Sequence, residues 1–147
     1  MIRELAGEEL DLMLPIGEAF AAEANYPGGF SLDAFKASWE PLLMAGLGKV
    51  FIAEENGVLV AALGMAFLPD SYSGAKTASE LFWFVVQSHR ASKVGMELFN
   101  RFEAEGIACG AKKLVMVHLS DLTPERLEKF FVARGYRAVE KTYWRML

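Results

Sequence analysis

The run Glu80-Leu-Phe-Trp-Phe-Val-Val-Gln-Ser-His-Arg90-Ala-Ser-Lys-Val-Gly95-Met-Glu-Leu-Phe99 joins three features that can do chemistry together. An apolar strand begins at Glu80, a short polar loop carries His89 and Arg90, and a helix begins near Ser92. Such a junction turns several backbone N–H groups, and the positive end of a helix dipole, toward one point. That point suits a phosphate or pyrophosphate. A strand–loop–helix junction is also ordinary in any α/β chain, so its neighbours decide what it means.

Those neighbours read as alternating strands and helices. Ile2–Leu5 is a short strand, and residues 8–24 place Leu10, Met13, Leu14, Ile16 and Phe20 on one helical stripe. Pro15 interrupts that stripe and Gly17 weakens it, which predicts two short helices or a kink. Ser31 caps a second helix whose buried side carries Leu32, Phe35, Trp39, Leu42 and Leu43. Asn56-Gly57, between the apolar runs 49–54 and 58–67, predicts a tight hairpin. Residues 69–74 form a loop, and Glu80–Val86 is a strand apolar on both faces. Ser92–Cys109 is an amphipathic helix and Leu114–Leu119 another buried strand. Thr123-Pro124 starts a last helix that stops at Gly135, and Tyr136–Leu147 closes the chain as a strand. This order predicts an α/β (α+β) fold, a mixed sheet with helices on both faces.

With 147 residues the chain fits one domain, 1–147, and its 53% hydrophobic and 23% charged composition excludes disorder. A single cysteine, Cys109, forms no intrachain disulfide and no metal site, which favours a reducing cytoplasm. No basic segment leads into an apolar one at the start, so no signal peptide is expected. The apolar stretch 58–68 falls short of the roughly 18–20 residues that span a bilayer, so no membrane role is expected. A net charge of −4 counts against general nucleic-acid binding. The charge is unevenly spread. Residues 1–80 hold four Lys/Arg against twelve Asp/Glu, and residues 81–147 eleven against seven. Either this is scattered surface charge, or the second half meets an anion and the first something cationic.

Arg90-Ala91-Ser92-Lys93-Val94-Gly95 resembles the pyrophosphate signature of the GNAT acetyltransferases, Gln/Arg-x-x-Gly-x-Gly/Ala. Phe130-Phe131-Val132-Ala133-Arg134-Gly135-Tyr136 is similar to that family's later aromatic–glycine–aromatic element, and the order of elements matches along essentially the whole chain. Compact phage and prophage members look most alike. The resemblance implies a GNAT fold with a mostly antiparallel sheet, and transfer of an acetyl group from acetyl-CoA (CoA) to a primary amine by direct attack. It implies that the backbone of Val85 and Val86 binds the pantetheine arm, and that the amides from Arg90 to Gly95 cradle the pyrophosphate. Glu80 then becomes the general base, because a protonated amine is no nucleophile; otherwise it is an exposed or capping glutamate.

Two positions depart from the pattern. Lys93 stands where the first glycine belongs, and Phe131 where many members carry a proton-donating tyrosine. Another group or water then protonates the leaving thiolate, or the step needs little help. These departures favour the alternative reading, a degenerate CoA-binding or protein-interaction module without turnover. His118 reads as a core histidine or a catalytic one, and His89 as a solvated loop residue or a cofactor contact. Ser120 and Asp121 serve as a proton relay or as loop and capping residues, and Cys109 is inert. Tyr26, Trp39, Tyr72 and Trp83 are acceptor-pocket walls or core aromatics. The acceptor would lie among residues 8–45, the hairpin tip and the 69–78 loop. There Glu8, Glu9, Asp11, Glu18, Glu23, Asp33 and Glu40 would attract a cationic amine. A polyamine-like or aminoglycoside-like molecule and a protein lysine or N-terminus stay equally open, and homodimers are common in the family.

Overall fold

Asn56 and Gly57 both take positive φ, 51° and 76°, as a two-residue hairpin turn requires. The turn folds Gly48–Glu55 (β2) antiparallel onto Val58–Pro69 (β3), in a computed structural model that describes residues 1–120 and 124–147. Ile2–Glu4 (β1) pairs with the outer edge of β2, and Lys76–Val85 (β4) with β3, both antiparallel. Lys113–Val115 (β5) adds a parallel edge, so the sheet runs β1-β2-β3-β4-β5. The chain forms two compact units, Met1–Val117 and His118–Leu147. Among the described residues, no helix is long and apolar enough to cross a membrane.

The first unit covers its sheet on both faces. Strand alternation sends Val50 and Ile52 to one side and Phe51 and Ala53 to the other. On the first side the 3-10 segment Gly7–Met13, Leu14–Glu23 (α1) and Leu32–Met44 (α2) bury Leu10, Met13, Ile16 and Trp39. Pro15 ends the 3-10 run and starts α1 in its first turn, where its missing N–H does no harm. The Ser31 hydroxyl accepts from Ala34 N–H at 3.2 Å and so caps α2. On the second side Val94–Ala108 (α3) buries Leu98 and Phe102 against Phe51, Leu63, Met65 and Ala78.

Gly64 is where β3 meets the first layer most closely. A Cβ there would lie 2.3 Å from the Phe82 ring and 2.6 Å from that of Trp39. Gly64→Ala is therefore expected to destabilise the fold by about 1–3 kcal/mol through overpacking, read as a lower urea midpoint.

Three expected strands change extent. β4 starts at Lys76, so Glu80 lies inside a strand and not at its head. β5 stops at Val115, short of the expected Leu119, because its ladder with β4 holds only three residue pairs. Residues 136–147 form no strand. Their apolar residues fall at 136, 138, 139, 143, 144, 146 and 147, with no sustained two-residue period that would bury one face. The second unit contains Pro124–Ala133 (α4); the expected cap Thr123, like Asp121, lies outside the described residues.

Candidate functional site

The site is built around an irregularity in β4. Met65 pairs with Glu80 and Gly64 with Phe82, which leaves Leu81 as an extra residue, a β-bulge. The bulge switches the strand's faces: Ala78 packs with the α3 layer, whereas Phe84 packs with the α1/α2 layer. At the same level β5 leaves β4. The last parallel pair is Ser79–Val115, and the Val117 N–H donates to the Glu80 carboxylate at 2.9 Å in place of a further backbone rung. Glu80 is 4% exposed, so it is not a surface glutamate. Burial pushes its pKa up to about 7, while the Val117 hydrogen bond pulls the other way. A carboxyl group tuned to that value can take or give a proton near neutrality.

Beyond Ser79, β4 keeps its β3 ladder but has lost its β5 neighbour, so one strand edge opens. Ladder alternation decides which backbone groups face that opening. Val86 N–H donates to Val60 O at 3.0 Å, so Val86 and Phe84 face β3 and Trp83 and Val85 face the opening. Of the two valines, Val85 therefore presents its main chain there. Its carbonyl accepts from Arg90 Nε at 3.0 Å.

The loop after β4 is a 3-10 turn, Gln87–His89, followed by α3. Several of its amides are used internally: Arg90 N–H donates to Gln87 O, Ser92 N–H to His89 O, and Val94 N–H to the Ser92 hydroxyl. Among the described residues, the amides of Ala91, Lys93, Gly95 and Met96 find no acceptor in the chain. Four open donors at the start of a fifteen-residue helix are able to receive an anion. Lys93 has φ −82° and ψ −7°, a right-handed conformation open to any residue, so the missing glycine imposes no backbone strain. Gly95 keeps the helix close to β4, since a Cβ there would lie 3.3 Å from Val85 Cγ2.

Side chains of the loop divide between the cradle and its supports. The Arg90 guanidinium bonds Glu23 of α1 and Val85 O, and sits 5.5 Å over the Phe84 ring. Ser92 Oγ donates to His89 O at 2.7 Å. His89 meets the carboxylate of Glu55 at the hairpin and the hydroxyl of Ser88. Arg90, Ser92 and His89 thus brace the loop, and the exposed Lys93 side chain makes no such contact among the described residues.

Phe131 and His118 belong to the second unit, where their rings stack at 6.1 Å and 29°. Phe131 also meets Phe130 and Tyr136. His118 lies past β5 and half-buried, so it is not the strand histidine expected. Ser120 is exposed, and Cys109 is half-buried at the end of α3. Trp39 is a core residue at 5% exposure, Tyr72 is fully exposed and Tyr26 partly so. Several acidic residues of the first half are closed into ion pairs: Glu9 with Arg3, Asp11 with Lys36, and Glu23 with Arg90. The bulge at Leu81, the Val117 contact of Glu80 and the pairing of Glu23 with Arg90, 67 residues away, leave no local pattern in the sequence.

One apolar cavity of about 230 Å³ opens against β4, lined among others by Ile16, Phe20, Phe30, Trp39, Leu81 and Phe82. The spacing of Phe20, Phe30, Phe35 and Trp39 is its trace in the sequence.

A family model described as the Acetyltransferase (GNAT) family matches residues 19–136. The solved structure of a GCN5-related N-acetyltransferase from Ralstonia eutropha JMP134 has 24% identity, covers 99% of this chain and 97% of its own, and has a TM-score of 0.74. A predicted acetyltransferase with acetyl-CoA from Clostridium acetobutylicum has 16% identity, coverage of 100% and 94%, and a TM-score of 0.79. The ribosomal-protein-alanine N-acetyltransferase from Brucella melitensis biovar Abortus 2308 has 20% identity, coverage of 100% and 99%, and a TM-score of 0.70. No curated protein sequence matches the chain.

Proposed function

Because this chain belongs to the acetyltransferase (GNAT) family, whose members use acetyl-CoA, we propose that it moves the acetyl group to a primary amine by direct attack. Bound acetyl-CoA supplies an activated acyl group as a thioester. The residues here suit that donor: an open strand edge for amide groups, and an amide cradle for a pyrophosphate. Val85, continued by Val86, lines the pantetheine arm. The amides of Ala91, Lys93 and Gly95 hold the pyrophosphate, with Lys93 as point charge and Arg90, Ser92 and Val94 shaping the loop.

The observation that carries the reading is Glu80, buried at the bulge beside the opening and poised near pH 7. In its ionised form it accepts the proton of the amine. Phe131 has no proton to give, and a thiol of pKa about 8.5 leaves as a thiolate with little assistance. A CoA-binding module without turnover needs no proton acceptor, and a buried carboxylate lowers stability where it is ionised. The acceptor is a small-molecule or protein amine, and the whole chain, 1–147, acts as one domain in the cytoplasm.

Acetyl-CoA is expected to raise the melting temperature, and an amine panel then to release free thiol. No shift with either acetyl-CoA or CoA overturns the proposal; a shift without thiol release favours the binding module. Lys93→Glu is expected to weaken acetyl-CoA binding about tenfold by calorimetry, since it sets a carboxylate beside phosphates. An unchanged Kd removes that side chain from the site.

A further inference from the structure

We propose that Glu23, the last residue of α1, is a positioning residue for the acetyl-CoA donor. Through Arg90 it fixes the loop between the open edge of β4 and the amides at the start of α3. This rests on the acetyl-transfer reading above and deepens it.

The geometry of Arg90 supports it first. Its Nη2 donates to the Glu23 carboxylate, its Nε donates to Val85 O at 3.0 Å, and the guanidinium lies 5.5 Å over the Phe84 ring. Phe84 in turn meets Phe20 edge-on at 5.6 Å and 76°. Phe20 and Glu23 stand three apart on α1 and share a face, so the end of this helix grips the end of β4 by a ring and by a charge. A planar group held on three sides fixes the residue that bears it. The amide directly after Arg90 is that of Ala91, the first of the open donors.

Energetics separates this role from a structural one. Glu23 puts a carboxylate at the negative end of a helix dipole, and the last turn of α1 holds no cation to offset it. Its cation is Arg90, 67 residues on. The two side chains are 32% and 37% exposed, where an ion pair adds little to stability. The helix is held without that pair, by the buried Ile16 and Ala21. A weak tie still matters where it sets the aim of hydrogen-bond donors, whose strength falls steeply with angle. A locally unfavourable residue with a distant partner beside a site is the kind of conflict that marks function.

Glu23 and the pyrophosphate are both negative, so by Coulomb's law alone removing Glu23 would tighten donor binding. Losing the tie would weaken it. Calorimetry with acetyl-CoA at fixed salt compares the full-length wild type with Glu23→Ala, Glu23→Gln, Arg90→Lys and the Glu23→Ala/Arg90→Lys double variant. Glu23→Ala is expected to raise Kd about fivefold, the upper end of what a partly exposed ion pair gives. Its melting temperature is expected to hold or rise, because alanine favours the helix and relieves its negative end. Glu23→Gln, whose amide oxygen still accepts from Arg90, is expected to bind at least roughly twofold tighter than Glu23→Ala. Arg90→Lys keeps the charge but lacks the fork that spans Glu23 and Val85 O, and is expected to lose as much as Glu23→Ala. The double variant is expected to be no worse than the worse single. Unchanged or tighter binding by Glu23→Ala overturns the proposal, and so do additive losses in the double variant or equal losses in Glu23→Ala and Glu23→Gln. Weaker binding that accompanies a lowered melting temperature of Glu23→Ala assigns Glu23 to the fold and overturns it too. Absence of wild-type binding overturns the acetyl-transfer reading itself.

Discussion

Glu80→Gln is expected to lower kcat by roughly 10²–10⁴-fold, the usual share of a positioned general base. The substitution keeps shape and keeps an oxygen that can accept the Val117 N–H, so the strand divergence should persist. What disappears is the only function an amide cannot perform, taking a proton. Acetyl-CoA affinity should stay unchanged, because the proposed donor contacts lie at Val85 and beyond the loop, not at Glu80. In the wild type kcat should rise with pH through an apparent midpoint near 7, where Glu80 ionises; the variant should lose that step. Stopped-flow or steady-state thiol release over pH 5–9 measures both, and a variant with wild-type kcat and an unaltered profile would remove Glu80 from the mechanism.

The same substitution should stabilise the protein where it disables it. Burial holds the folded-state pKa of Glu80 at about 7, above the ordinary 4.5 it regains on unfolding. Below pH 4.5 the carboxyl is protonated in both states and carries no penalty. As pH rises through 7 the folded state must ionise a buried group, and the stability difference is lost. That gap corresponds to about 3 kcal/mol. Glu80→Gln should therefore unfold at higher urea than the wild type at pH 8, and at nearly the same urea at pH 4.5. Parallel profiles across that range would mean that Glu80 is not held in a desolvated state. Such a trade, stability surrendered for a poised group, is what separates a working carboxylate from a merely structural one.

Local chemistry was the legible part of this chain. Asn56-Gly57 fixes a hairpin, Ser31 caps α2, Pro15 breaks the first helical stripe, and the loop from Arg90 to Gly95 leads into α3. Each depends on residues within a few positions, so spacing suffices to find them. Glu80 is legible as a residue, but not its place in the strand. Lys76-Thr77-Ala78-Ser79 reads as a polar continuation of the loop, yet pairing with Leu68, Phe67 and Ala66 makes it strand. That pairing moves Glu80 from a strand's head into its buried middle.

Direction of side chains was less legible still. Arg90 lies in the phosphate motif, but Glu23 on α1 draws its guanidinium away, a contact between residues 67 positions apart. Charge counts are blind to pairing for the same reason. An acidic first half suggests a field for cations, whereas the fold spends Glu9, Asp11 and Glu23 on internal pairs and leaves an aromatic cavity. The closing strand failed for want of periodicity, since residues 136–147 offer no single face to bury.

The central claim is that the carboxyl of Glu80 is buried at the bulge and poised near neutrality. Carbon-13 NMR of the glutamate side-chain carboxyls, with Glu80→Gln identifying the resonance, titrates that group directly. A midpoint near 7 is the predicted result. A midpoint near the ordinary 4.5 would contradict it and leave the site without its base.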